Sequence, residues 1–261
     1  SKYSKSELLI QFAYFSANPN KINMILIAVA TSIGGVGIPL LTENYVKGDF
    51  RSAARLVQDN LSMLIFFILP ATIGAVLVAE PLYTVFYGKP DGLALGLFIF
   101  AMLQTIILSL YTVLAPMIQA LFQNRKAIIY FLYGVGVKLV LQVPLIYIFK
   151  AYGPLLATTV GLIIPILLMY QEIRKVTGLN PKNLFKRSLL SVILTVLMTI
   201  FVLVAELLIG LFLHPSGRIS SFVYIALIGG IGLAVYGGLA LKVRLMDRFI
   251  GSKAASLRRR F

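Results

Sequence analysis

The 261-residue sequence contains no cysteine and no tryptophan, and its one histidine is His214. Without cysteine the chain has no disulfide, no thiolate nucleophile and no thiolate metal ligand. A single histidine cannot supply a histidine metal cluster, and it argues against a histidine-based catalytic triad. The sequence therefore predicts no metal site and no bound cofactor.

Acidic residues are also scarce, with nine Asp and Glu against 24 Lys and Arg. Charged residues make up 13% of the chain and apolar residues 59%, with a mean hydropathy of +0.92. Soluble domains have about 25% charged and about 45–50% apolar residues. So few charges cannot cover a water-exposed surface, and the excess apolar surface is expected to face lipid. The nine acids are scattered without a close pair, which argues against an enzyme.

Long apolar runs dominate the sequence, and about 20 apolar residues suffice for one helical crossing of a bilayer. Since lipid leaves a spanning backbone few alternatives to helix, the runs predict an all-α, polytopic membrane helix bundle with about seven transmembrane helices. The predicted spans are Ile22–Leu41, Leu61–Ala79, Gly92–Leu114 (continuing past Pro116 toward Phe122), Ala127–Phe149, Ala151–Tyr170, Ser188–Leu213 and Phe222–Leu241.

The distribution of cations predicts the orientation of these spans. The connections 42–60, 123–126, 171–187 and 242–261 hold 17 Lys and Arg, whereas the alternate connections hold six. Cation-rich loops remain in the cytoplasm, so the C-terminus is expected to be cytoplasmic. The excess positive charge is therefore read as membrane orientation, with no nucleic-acid partner.

The connections define the predicted organisation of the chain. Residues 1–21 form an external leading segment, and 22–170 form a five-helix part. Residues 188–241 add two helices, and 242–261 form a basic cytoplasmic tail. Residues 49–60 have helical amphipathic spacing, and Asp49 is a suitable N-cap. We expect a short helix there, lying on the cytoplasmic surface.

Lys138 is the most informative polar residue, because it lies near the middle of the fourth span. It is about eleven residues, or roughly 16 Å, from either end of that span, too far for its side chain to reach water along the helix. Tyr130, Gly134 and Gln142 lie at steps of four from it and form one polar stripe. Two interpretations remain: Lys138 lines a cavity and meets an anionic substrate, or it pairs with a carboxylate or helix C-terminus elsewhere in the protein.

Other polar and small residues in the spans are weaker candidates. Cavity candidates on the third span are Gln104 and Ser109, although Ser and Thr side chains there also bond their own helix carbonyls. Lys21, at the start of the first span, is a further cationic candidate. Candidate hinge or packing residues are Gly34, Gly35, Gly37, Pro39 and Pro116.

Several short segments, in this order and spacing, resemble one known family. They are Asn18-Pro19-Asn20-Lys21, Ile38-Pro39-Leu40-Leu41, Lys47-Gly48-Asp49, Leu69-Pro70-Ala71, the stretch from Pro81 to Gly88, Ala115-Pro116, Gln123-Asn124 and the stretch from Tyr152 to Thr158. Together they are similar to the C-terminal half of the lipid II flippase and polysaccharide-exporter branch of the multidrug/oligosaccharidyl-lipid/polysaccharide superfamily. Within that branch the likeness is to the MurJ/YtgP type of Gram-positive bacteria.

The resemblance implies one lobe of a two-lobe transporter, located in the bacterial plasma membrane. Its missing N-terminal lobe would supply the other seven helices, and the lobes would rock about a central cavity by alternating access. The implied substrate is lipid II or a related undecaprenyl-diphosphate sugar. One departure matters: relatives of Gram-negative type carry an arginine near the place of Tyr14, but here no arginine precedes Arg51. The family's essential arginines therefore cannot be transferred to this chain.

Three alternatives remain open at this stage. One is a flippase for capsule or teichoic-type polysaccharide lipids, and another is an exporter of cationic drugs from the same superfamily. A drug exporter would need a carboxylate at mid-membrane, where this sequence has a lysine. The third is a scaffold for wall-synthesis enzymes, which would have no use for a central lysine.

Overall fold

A computed structural model describes residues 18–210 and 217–243, and throughout those ranges the regular structure is helical. The helices are α1 (Asn18–Val36), α2 (Ile38–Val46), α3 (Phe50–Leu77), α4 (Ala79–Tyr87), α5 (Gly92–Ala120), α6 (Asn124–Phe149), α7 (Gly153–Thr177), α8 (Pro181–Gly210) and α9 (Arg218–Lys242), with a 3-10 turn at Lys150–Tyr152. The predicted all-α class is confirmed.

Six apolar helical stretches are long enough to cross a membrane. One of them, Asn124–Thr177, has 54 residues, more than twice what one crossing needs. The 3-10 turn divides this stretch into α6 and α7, with Lys150 at a φ of 51°. Because α6 and α7 fold back on each other as an antiparallel hairpin, the stretch supplies two crossings. The described chain thus has the seven crossings that the hydropathy predicts.

The first crossing is interrupted at Gly37, inside the predicted span Ile22–Leu41. Helix α1 ends at Val36, and α2 begins with Pro39 in its first turn. Gly37 is buried against the side chain of Asn60 in α3, so closely that a Cβ there would collide with the amide nitrogen. The break therefore brings the α1–α2 junction into direct contact with α3.

Residues 49–60 do not form the separate surface helix that their amphipathic spacing suggests. They are the cap and first turns of α3, a continuous helix of 28 residues. The Asp49 carboxylate accepts a hydrogen bond of 3.0 Å from the Ser52 backbone N–H, as expected of an N-cap. This bonding to Ser52 lowers the pKa of Asp49. Since no Gly or Pro separates the segment from the span that follows, the helix continues, and Ala53 and Val57 pack into the bundle with no exposed surface.

One further difference concerns the connection between α3 and α5. The sequence predicts a loop for residues 80–91 of that connection, but they contain most of α4, which ends at Tyr87 and is followed by Gly88 with a φ of 88°, a conformation that glycine adopts without strain. Helix α5 runs through Pro116 to Ala120, in agreement with the expected extension of the third span.

Helix α5 is the centre of the bundle and packs against α1, α3, α4 and α7. Its side chains Leu114, Met117 and Ile118 are fully buried in a core that also contains Leu64 of α3 and Ile173 of α7. Helices α8 and α9 attach to the outside of this core. Their own cluster packs against Phe66 of α3, whose carbonyl oxygen accepts a 2.7 Å hydrogen bond from the Tyr236 hydroxyl.

The tightest helix pair is α6 and α7, which approach at small residues. A Cβ added to Gly134 would lie 2.9 Å from Pro165 Cδ and closer still to the carbonyl oxygen of Gly161. A Cβ added to Gly161 would lie 2.9 Å from the Cβ of Lys138. Small residues at a crossing allow backbone approach in lipid, where apolar helices gain little hydrophobic energy by associating.

The structure predicts that Gly134→Ala separates α6 from α7 and destabilises the protein by about 1–3 kcal/mol, the usual cost of an overpacked site. Gly136→Ala, two residues further along the same helix, is the control, because nothing lies within 4 Å of its added Cβ. Thermal unfolding of both variants in detergent tests this. Equal melting temperatures for the two variants would contradict the close approach at Gly134.

Candidate functional site

Lys138 lies in the middle of α6, as the sequence predicts, and its side chain is half-buried. Its Cβ is at the α6–α7 crossing, directly against Gly161. The ion pairs in the described part of the chain are Lys47–Glu43, Lys126–Glu172 and Arg187–Asp59. Hence no carboxylate of residues 22–210 or 217–243 lies within 4.0 Å of the Lys138 ammonium. A cation at mid-membrane depth thus has no acidic partner in this set.

The polar stripe on α6 has two parts with different surroundings. Gly134 is buried in the contact with α7, and Tyr130 donates a 3.2 Å hydrogen bond to Glu172 of α7. Both contacts join α6 to α7, and Gly134 is enclosed between the helices whereas Tyr130 is half-buried. Lys138 and Gln142 remain half-buried further along the helix. The cavity interpretation therefore stays a prediction for Tyr130, Lys138 and Gln142, whereas Gly134 belongs to the helix contact.

Sequence reasoning missed an ion pair between α6 and α7. Lys126 Nζ lies 2.7 Å from Glu172 Oε1, and Tyr130 bonds the other carboxylate oxygen. Glu172 is buried, with a side-chain exposure of 9%, while Lys126 is half exposed. One signal could have found the pair, namely the position of the hairpin turn at Lys150. Residue 126 lies 24 positions before this turn and residue 172 lies 22 positions after it. In an antiparallel hairpin the two residues are therefore opposite each other.

The polar residues on α5 differ in burial, since Gln104 is half-buried whereas Thr105 and Ser109 are buried. The Gln104 amide donates 2.9 Å and 3.0 Å hydrogen bonds to Leu155 O and Thr159 Oγ1, and so joins α5 to α7. Ser109 has no exposed surface, and its Oγ has no hydrogen-bond partner within the described ranges. Thr105 bonds the carbonyl oxygen of its own helix at Ala101, 3.2 Å away. Packing surrounds Ser109 and Thr105, so neither faces an open cavity in this lobe.

The predicted hinge or packing residues differ in how closely they pack against neighbouring helices. Gly34 packs tightly, since a Cβ there would lie 2.8 Å from Val113 of α5, and Gly37 contacts Asn60. Gly35 is exposed, with nothing within 4 Å of an added Cβ. Pro39 lies in the first turn of α2, and Pro116 is exposed within α5. The side chain of Lys21 lies outside the described residues, as does His214.

Comparison with known proteins identifies the family. The family model for "Lipid II flippase MurJ" matches residues 18–227. This chain belongs to the MurJ lipid II flippase family. The match confirms the resemblance drawn from the motifs, and with the apolar helices it makes the chain a multi-pass membrane protein.

Two relatives give the extent of the likeness. The lipid II flippase MurJ of Bacillus subtilis (strain 168) is 29% identical over 237 residues, which are 89% of this chain and 44% of that protein. A solved structure of lipid II flippase MurJ in an inward closed conformation has the same fold, with a TM-score of 0.67 and 16% identity over 92% of this chain and 48% of the other. The chain spans about half the length of the relatives it matches.

Proposed function

We propose that this chain forms the C-terminal lobe of a flippase that carries lipid II, or a related undecaprenyl-diphosphate sugar, across the bacterial plasma membrane. Residues 22–170 would form the five-helix part of the transport lobe, and 188–241 two additional helices. An N-terminal lobe would complete the transporter, which works by alternating access and is not an enzyme. Family membership and the half-length match to the relatives support this proposal.

The observation that carries the proposal is the position of Lys138. A cation at mid-membrane is costly unless it is paired or faces a polar cavity. The described residues offer it no carboxylate within 4.0 Å. An undecaprenyl-diphosphate sugar brings a diphosphate to this depth while its polyprenyl tail stays in lipid. A lysine ammonium facing the space between two lobes would neutralise that charge during passage.

The same lysine argues against a cationic drug as the substrate. A drug cation calls for a carboxylate at mid-membrane. Glu206 lies in the last turns of α8, close to one end of the helix, and Glu172 is already paired with Lys126. A capsule or teichoic-type polysaccharide lipid has the same diphosphate chemistry, so substrate identity within that class depends on the sugar.

The orientation that we propose puts the C-terminus in the cytoplasm. Tyr45 contacts Phe122 with ring centroids 6.2 Å apart, and the Gln58 amide donates to Asn180 O at 3.0 Å. The loops after α2, α5 and α7 are therefore neighbours at one end of the bundle. These are the cation-rich connections, and positive charge favours the cytoplasmic side.

Labelling of single cysteines tests this orientation, since the chain has none of its own. Both Lys89 and Lys182 are exposed, at opposite ends of the bundle. In intact cells, an impermeant maleimide should label Lys89→Cys and spare Lys182→Cys, and permeabilised cells should label both. Labelling of Lys182→Cys but not Lys89→Cys in intact cells would reverse the orientation.

Substitution of Lys138 tests the role of its charge in the complete protein. Lys138→Arg should keep part of the activity, because it retains a cation. Lys138→Met should lose most activity while melting at the native temperature, because Met preserves length but not charge. Rescue of wall synthesis in flippase-depleted cells and thermal unfolding are measured on the same variants.

Lys89→Met is the control for loss of one lysine, since it removes a charge from an exposed outer loop. It should rescue fully. Two results would count against a substrate role for Lys138. A stable and fully active Lys138→Met protein would show that the charge is dispensable. A Lys138→Met protein with a strongly lowered melting temperature would indicate a structural ion pair with the other lobe.

A further inference from the structure

A polar cleft of about 780 Å³ lies at the cation-rich end of the bundle, between the first turns of α3 and the start of α8. Its walls include Arg51, Arg55 and Arg187, together with Asp59, Gln58 and Asn183. The cleft is far from Lys138, which lies at mid-helix. The transport proposal gives these arginines no role beyond membrane orientation.

The charges in the cleft do not balance. Arg187 Nη1 is paired with Asp59 Oδ1 at 2.5 Å. Arg51 and Arg55 are both exposed, and within the described ranges neither has a carboxylate within 4.0 Å. The Asp49 cap is close enough to feel the charge of Arg55, but it is already bonded to Ser52. Four residues apart on α3, Arg51 and Arg55 share one face and repel each other.

The frame around these arginines is held in place before any ligand binds. Gln58 is nine-tenths buried, and its amide donates a 3.0 Å hydrogen bond to Asn180 O. The Arg187–Asp59 pair joins α8 to α3 a short distance away. The Asn180 side chain accepts a hydrogen bond of 3.0 Å from Lys182 N and so orders the start of α8. The N-terminus of α8 adds a partial positive charge at the cleft.

We propose that this cleft binds a phosphate group through Arg51 and Arg55. Guanidinium groups match phosphate oxygens with paired N–H donors, and two guanidinium groups on one helix face can hold a single phosphate between them. Phe50 and Phe185 are exposed in the first turns of the same two helices, with exposures of 48% and 68%. Exposed Phe beside Lys and Arg is typical of helical segments that lie at the membrane interface. The phosphate can therefore come from an anionic phospholipid headgroup or from a soluble phosphate compound.

Thermal unfolding of the complete protein in a neutral detergent tests the proposal. The probes are dioleoylphosphatidylglycerol, added as mixed micelles, and inorganic phosphate or pyrophosphate in solution. The test variant is Arg51→Gln/Arg55→Gln. The control is Arg125→Gln/Arg174→Gln, which removes the same charge from exposed positions at the same end of the bundle but outside the cleft.

The native protein and the control should show a saturable rise in melting temperature, and the test variant should lose at least half of that rise. A response to the lipid alone identifies a headgroup site, and an equal response to soluble phosphate identifies a site for a soluble anion. Equal responses of the test and control variants would overturn the proposal, since general surface charge would then explain binding.

If the test variant is already unstable without ligand, the single variants Arg51→Gln and Arg55→Gln are compared with Arg125→Gln by equilibrium binding of radiolabelled lipid and phosphate. The same outcomes decide. None of these results bears on the role of Lys138.

Discussion

The close approach of α6 and α7 at Gly134 and Gly161 fixes the positions of the polar groups on this helix pair. Their backbones meet where neither residue has a side chain, and an added Cβ at either would collide with the partner helix. The resulting register brings Lys126 opposite Glu172 and sets the Lys138 Cβ against Gly161. Since Gln104 joins α5 to α7 through Leu155 and Thr159, the hairpin is also anchored to the central helix.

Glu172 and Asp59 at the cation-rich end of the bundle are paired, whereas the cation at its centre has no acidic partner among the described residues. Each of the two carboxylates pairs with a cation of another helix. These pairs hold α6 to α7 and α3 to α8. At the centre, Lys138 has no such acidic partner in the described lobe. A charge that the fold does not neutralise at this depth is expected to meet its counter-ion from elsewhere, either a substrate or a second lobe.

The sequence predicted features that depend on one helix at a time. Apolar length located the crossings, and residue spacing located Lys138 at mid-span. The sequence did not predict correctly the features that depend on contacts between two helices. Amphipathic spacing in 49–60 could not show whether the apolar face meets lipid or protein, and α3 buries it in the core. Likewise, Tyr130 and Gly134 share a face with Lys138, but only the position of α7 shows that they serve the helix contact.

We propose that this chain is one lobe of a two-lobe transporter for a lipid-linked diphosphate sugar. The most direct measurement is rescue of wall synthesis in bacteria depleted of their own lipid II flippase. The 261-residue chain is expressed alone and together with the sequence that precedes it in the complete protein. Membrane insertion is verified in both cases. Because a central cavity needs both lobes, rescue is expected only when both halves are present. Rescue by this chain alone would contradict it.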